Sequence, residues 1–225
     1  MMPAPKLIIF DCDGVLVDSE PLSMRVMLET LAAAGLQLDA ETAYARFLGT
    51  SMKSICAKLA HEDGVELAEA ALDRLRRRLH VTFRAELQPI SGVAETLDRL
   101  IVPFCVASSS QPERIELSLD VTGLAHHFAG KIFSATMVEH GKPAPDLFLH
   151  AAKSMATAPE TVLVVEDSPV GIAAAKAAAM RVIGFVGGTH AKRPAHRAAI
   201  QAAEPDMLID DMTQLIDLWD ALAPR

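Results

Sequence analysis

This 225-residue chain is poor in everything that would mark a cross-linked, membrane-spanning or nucleic-acid-binding protein. Cysteine is scarce: Cys12, Cys56 and Cys105 stand far apart, with neither a CxxC pair nor Cys/His ligand spacing. A set so sparse and odd excludes a disulfide scaffold and a structural zinc site, and it suits a reducing compartment. Long apolar runs are missing too. No stretch approaches the roughly 18 uninterrupted apolar residues that cross a bilayer, and the opening LIIF run is too short for the apolar heart of a signal peptide. Positive charge is in deficit, with 21 Lys and Arg against 29 Asp and Glu and a net charge of -8. A field of that sign repels nucleic acid and other polyanions. The expectation is a soluble, cytoplasmic protein, with a monomer favoured, that engages neither membrane nor nucleic acid. A small phosphorylated substrate would need a local cation or metal to overcome that field.

Apolar residues are plentiful at 51%, enough for a real core at this length. Residues 7–10 read as a strand buried on both faces. After Glu20 the rhythm becomes helical: Pro21 suits a first turn, Met24, Met27, Leu28 and Leu31 share a face, and Gly35 stops the run. Residues 51–63 and 67–84 read as further helices, the second with a Leu72, Leu75, Leu79, Phe83 stripe. From Pro89 onward helix and strand alternate. Helix 91–100 precedes strands at 102–107, 132–135, 161–165, 181–186 and 207–209, and Ser168 and Pro169 open a helix after the third of these. The fold class is α/β: a Rossmann-like parallel sheet in residues 1–18 and 86–225, with an all-helical insertion at residues 19–85. Ligands of such sheets bind beyond the carboxyl ends of the strands.

Those ends carry the polar clusters. Asp11 and Asp13 close the first strand, two apart and so on one side, about 6.5 to 7 Å apart in an extended chain. One carboxylate of such a pair can attack an electrophile while the other handles a proton, provided that their pKa values differ. Gly14 lets backbone approach a ligand. Ser108 and Ser109 end the next strand, where a hydroxyl and following amides suit an anion or a helix cap. Lys142 lies in HGKPAPD, an exposed-looking loop, with Pro143 restricting its backbone. Glu166 and Asp167 end the TVLVV strand. Four acids gathered at neighbouring strand ends repel one another, and a hard divalent cation, Mg2+ by preference for oxygen ligands, resolves the repulsion.

FDCDGVLVDSEP at 10–21, VASSS at 106–110, GKPAPDLF at 141–148 and VVEDSPVGIAAAKAA at 164–178 resemble, in order, the four motifs of the haloacid dehalogenase superfamily, in its phosphatase and β-phosphoglucomutase-like group with a small helical cap. The resemblance implies a phosphatase of small phosphorylated metabolites, sugar or sugar-acid phosphates foremost. It implies Asp11 as nucleophile forming an aspartyl-phosphate, Asp13 as acid and base, Ser108 and Lys142 on the phosphoryl group, and Mg2+ held by Asp11, the Asp13 carbonyl, Asp167 and Glu166. A phosphosugar mutase is the alternative, weakened by Ser23 where mutases have His and by Gln111-Pro112 where they have Lys-Asn. Asp13 counts against dehalogenases and phosphonatases. Ala179 departs from the relatives' Gly at a helix terminus. In the insertion, the FLGTSMKS loop is expected to dip into the site, with Arg46 and Lys53 as candidates for a second anionic group. A hinge is expected at residues 17–19 and 85–88. His140, His190 and His196 are read as surface groups, and Cys12 as a packed small residue.

Overall fold

The structure is a computed structural model and describes residues 4–222. Its centre is a six-stranded sheet, every pairing parallel, in the order β3-β2-β1-β4-β5-β6. The strands are β1 (Leu7–Phe10), β2 (Phe104–Ser108), β3 (Ile132–Ser134), β4 (Val162–Glu166), β5 (Arg181–Phe185) and β6 (Met207–Ile209). In β1 alternate side chains feed two different cores. Ile8 and Phe10 join a cluster with Val106 and Val165, whereas Leu7 and Ile9 join another with Cys105, Val162 and Val164. Both faces are therefore covered, which is why the strand reads as an unbroken apolar run. β2 starts after Pro103, two residues later than the apolar pattern predicts; proline has no N–H for a ladder, and its carbonyl serves by accepting from Ile8 N at 3.0 Å.

Residues 19–88, after β1, hold four α-helices and no strand: α1 (Glu20–Ala33), α2 (Ala40–Phe47), α3 (Met52–Lys58) and α4 (Glu69–Glu86). A single π turn, Leu59–Asp63, continues α3 to Gly64. α2 is absent from the apolar pattern; its start is set by Asp39, which accepts from Thr42 N at 2.9 Å. The α4 stripe buries Leu75, Leu79 and Phe83 in the same cluster as Ile8 and Phe10, so insertion and sheet share one core. The two connections to the core run side by side. Asp18 N donates to the Gln88 carbonyl at 3.0 Å and Ile90 N to that of Leu16 at 3.0 Å.

The remaining helices are α5 (Val93–Arg99), α6 (Pro112–Val121), α7 (Asp146–Ser154), α8 (Pro169–Ala177), α9 (Pro194–Ala202) and α10 (Gln214–Leu222). None of the helices among the described residues is long and apolar enough to cross a membrane. After α8 the chain turns into β5 through Ala179, whose φ of 56° is left-handed. An L-residue pays roughly 1–2 kcal/mol there, which glycine avoids. Ala179→Gly is expected to raise unfolding stability by about 1 kcal/mol, partly offset by the chain entropy of glycine. Urea denaturation checks this: the midpoint rises with an unchanged m-value.

Candidate active site

All the carboxyl ends of β1, β2 and β4 open on one cavity of about 360 Å3. Three consecutive neighbours in the sheet thus deliver Asp11, Ser108 and Glu166–Asp167, at the point where the strand order reverses. Asp11, Asp13, Ser108, Ser109, Lys142 and Asp167 line the floor.

Lys142 is not the exposed loop residue that its sequence setting suggests. Its side chain is 2% exposed, and Nζ donates to Asp11 Oδ1 and Glu166 Oε1, each at 2.6 Å, and to the Ala107 carbonyl at 3.2 Å. Phe148 lies 4.9 Å below the ammonium. Burial alone would lower its pKa, but the two carboxylates outweigh burial and hold it above the ordinary lysine value. The loop is pulled under by its charge.

Burial pushes the Asp11 carboxyl well above the usual range; Lys142 opposes this, while Glu166, Asp167 and Asp13 add to it. Asp13 stands in the opposite condition. Burial would raise it as well, but Arg114 and the hydroxyls of Ser110 and Ser19 pull it below the usual range. Ser19 Oγ and Arg114 Nη2 donate to its Oδ1 at 2.5 and 2.8 Å, and Ser110 Oγ to its Oδ2 at 2.6 Å. Two carboxyls two residues apart are thus driven in opposite directions, and the sense is such that Asp11 needs more positive charge than Lys142 alone supplies to act as an ionised nucleophile. Cys12, between them, is buried in the apolar cluster.

Glu166 and Asp167 differ in the same way. Glu166 Oε1 takes Lys142, and Oε2 accepts from Ser168 N and Oγ at 2.9 and 2.8 Å. Both oxygens are engaged, so its geometry serves the lysine and the α8 cap before any cation. Gly171 makes room, since a Cβ there would lie 1.8 Å from Glu166 Oε1. Asp167 is 3% exposed, and its Oδ2 has no hydrogen-bond partner. His190 Nε2 lies 2.8 Å away but out of line for a hydrogen bond. Burial pushes Asp167 well above the ordinary range, reinforced by Glu166. Gly14, at φ 77°, packs against this oxygen, where a Cβ would come within 1.9 Å. An orphaned buried carboxylate oxygen beside Asp11, with backbone pressed close, fits a hard divalent cation.

The structure corrects two histidines. His190 is 1% exposed, packed against Asp167 with its pKa lowered by burial. His196 is 9% exposed and pushed down to about 4 by burial and by His190. His140 is exposed as expected. Arg46 and Lys53 do not reach the cavity: Arg46 is engaged by Asp63 and Glu62, and Lys53 is exposed. The FLGTSMKS loop does border it, Gly49 packing on Ser168. The sequence reading missed Arg114, Ser110, Ser19 and Glu20. Arg114 looks like any helix-face cation until α6 is docked, and only the Ser-rich turn before it hints at a polar site. Asp98, His126 and His127, whose ligand atoms gather within 4.8 Å of one another, lie toward the amino ends of β2 and β3, away from this cavity.

A family profile described as haloacid dehalogenase-like hydrolase matches residues 8–185. The chain belongs to this family, and it is an enzyme of its phosphatase group. It is 31% identical over 217 residues to the 6-phosphogluconate phosphatase of Escherichia coli K12, covering 96% of this chain and 95% of that one. It is 32% identical over 179 residues to the fructose-1-phosphate phosphatase of the same organism, covering 78% and 94%. A haloacid dehalogenase-like protein of unknown function from Agrobacterium tumefaciens superposes with a TM-score of 0.83 at 38% identity, covering 98% and 100%. A Deinococcus radiodurans family hydrolase solved with phosphate and sodium gives 0.76 at 31%, covering the whole of both chains.

The raised carboxyls give a sign for metal dependence. Asp11 and Asp167 favour the folded state fully below the ordinary carboxylate range, near pH 4, and this contribution is lost as pH rises toward their folded values. A bound cation counters the loss. A divalent cation in excess is expected to raise Tm over the EDTA-treated protein little at pH 4.5 and by about 5 °C or more at pH 8. Scanning calorimetry at both pH values checks it.

Proposed function

We propose that this protein is a Mg2+-dependent phosphatase of small phosphorylated metabolites, of the sugar-phosphate class, working through an aspartyl-phosphate in the cytoplasm. The observation that carries the reading is the split pair at the end of β1: Asp11 against Lys142, and Asp13 held ionised by Arg114, Ser110 and Ser19. The names of the curated relatives supply the substrate class. Residues 19–85 act as the cap over a core of residues 1–18 and 86–225.

In this reading Asp11 attacks the phosphorus through the oxygen not taken by Lys142. The bond to the leaving oxygen breaks, and Asp13 supplies that oxygen with a proton. Asp13 must first gain that proton, which requires that one of its three donors let go as substrate enters. A water then attacks the phosphoryl group on Asp11, Asp13 takes its proton, and Asp11 is regenerated with release of inorganic phosphate. Lys142 keeps Asp11 oriented and places its charge beside the transferring group. Ser108, with Ser109 next to it on the cavity floor, donates to the phosphoryl oxygens, with Gly14 allowing the backbone to come close. Mg2+ would be held by Asp11, the Asp13 carbonyl and Asp167, with Glu166 behind them through Lys142, and would neutralise phosphoryl charge. Ser23 is bound by Arg114 at 3.0 Å, and no feature of the site favours a mutase.

Phosphate release from a panel of sugar phosphates, measured with Mg2+ and with EDTA, tests this. Release is expected to depend on metal, and Asp11→Asn is expected to reduce kcat by at least about 10^3-fold. Asp13→Asn is expected to reduce it by about 10^2- to 10^4-fold. Unchanged turnover by Asp11→Asn would exclude it as the nucleophile.

A further inference from the structure

The half of the cavity that faces the phosphate site has an unusual wall for a polyhydroxylated substrate. Met24 and Met27 from α1, Phe47 at the end of α2, Ile55 from α3, and Leu75 and Leu79 from α4 all line it. All six are buried, so they form a continuous apolar surface and not a scatter of exposed methyl groups.

The cations bordering this space are already taken. Arg76 donates to Glu69 and Asp73 at 2.8 and 2.7 Å. Arg114 is held by Asp13 and Ser23. Arg46 is bound by Asp63 and Glu62 away from the cavity. Lys142, on the phosphate side, is held by Asp11 and Glu166, which leaves His80, on the exposed side of α4, as the remaining basic side chain on the lining. Glu20 is on the lining too, its carboxyl pushed up to about 8 chiefly by burial, so near pH 7 it is a neutral polar group and not a counter-charge for a cationic or anionic substrate. Ser23 Oγ accepts from Arg114 Nη2 at 3.0 Å, which leaves its O–H as a single polar donor on this side. Thr50, Ser51, Gln111 and Glu113 border other parts of the cavity, but against the methionine and leucine wall the hydroxyls of a sugar acid would be stripped of water with no partner in the wall itself.

We propose that this wall selects a leaving alcohol with an apolar face, so that alkyl, deoxygenated or C-methylated phosphomonoesters are preferred to fully hydroxylated sugar-acid phosphates. The inference rests on the phosphatase reading above and, within its sugar-phosphate class, favours the less hydroxylated members, with alkyl phosphates as probes of the wall. The physical warrant is the transfer of methylene groups from water to an apolar wall, about 0.8 kcal/mol or fourfold per CH2. Since the contact persists in the transition state, the gain is read in kcat/KM.

The experiment measures phosphate release from ethyl, propyl, butyl and hexyl phosphate, from 6-phosphogluconate, and from acetyl phosphate as a small reactive control, all with Mg2+. It is run on the natural chain, on Leu75→Asn, and on Met27→Gln in case the first variant folds poorly. The hexyl-to-ethyl ratio within one variant does not depend on the fraction folded. Expected is a rise of about fourfold per methylene, hexyl phosphate ahead of 6-phosphogluconate, and a hexyl-to-ethyl ratio at least fourfold smaller in either variant. A flat or falling alkyl series, or 6-phosphogluconate ahead of hexyl phosphate, overturns the selection by the wall and leaves the phosphatase reading standing. An alkyl ratio that neither variant changes overturns it equally. No phosphate from any compound, acetyl phosphate included, overturns both.

Discussion

Lys142 sits between Asp11 and Glu166, 2.6 Å from each, with almost none of its side chain in contact with solvent. An ammonium so placed has lost most of its hydration and stays charged only because two carboxylates replace the water. The dependence runs the other way as well. Without the lysine, Asp11, Glu166 and Asp167 would be three buried acids at adjacent strand ends with no counter-charge among them. Removing one partner from a buried pair costs about 3–5 kcal/mol, because the other is left uncompensated. The candidate catalytic apparatus and the top of the sheet are therefore the same object, fastened by one side chain.

Around that pair the sheet supplies position. Strand order brings β2, β1 and β4 together, although 94 positions separate Phe10 from Phe104 in numbering and the whole helical insertion lies between them. Two glycines then set how closely things fit. Gly14 lets backbone lie against Asp167, and Gly171 lets α8 start against Glu166. The insertion closes the other side of the cavity, with a core continuous with that of the sheet. Its linkers run beside each other and are joined through backbone, and Asp18 accepts from Thr189 N at 3.1 Å, so the loop carrying His190 is tied to the place where the insertion begins.

What could be read from the chain alone follows from periodicity. Strands buried on both faces announce themselves as LIIF and TVLVV, and acids at the end of such runs are conspicuous because nothing in the fold requires them. α2 was missed because its mean hydropathy is neutral and its start depends on one aspartate cap. The burial of Lys142 was hidden because a loop between Gly and Pro looks exposed until the carboxylates that draw it inward are in place. His190 and His196 were misplaced for a related reason: although His196 lies in α9, their burial depends on packing against Asp167 and against each other, 4.8 Å between rings. Arg114 carries no local mark at all. Its significance comes from being 101 residues away in sequence and 2.8 Å away in space from Asp13.

The central claim is that Asp11 and Asp13 divide the chemistry, the first by bonding to phosphorus and the second by moving protons. Rapid acid quench during turnover of a sugar phosphate, followed by mass analysis of the peptide that spans the first strand, addresses it most directly. The account predicts one phosphoryl group on Asp11, discharged in the natural chain and accumulating in Asp13→Asn when a substrate with a good leaving group is used. A phosphoryl group on any other residue, or steady turnover with no phosphorylated peptide in either chain, would contradict it.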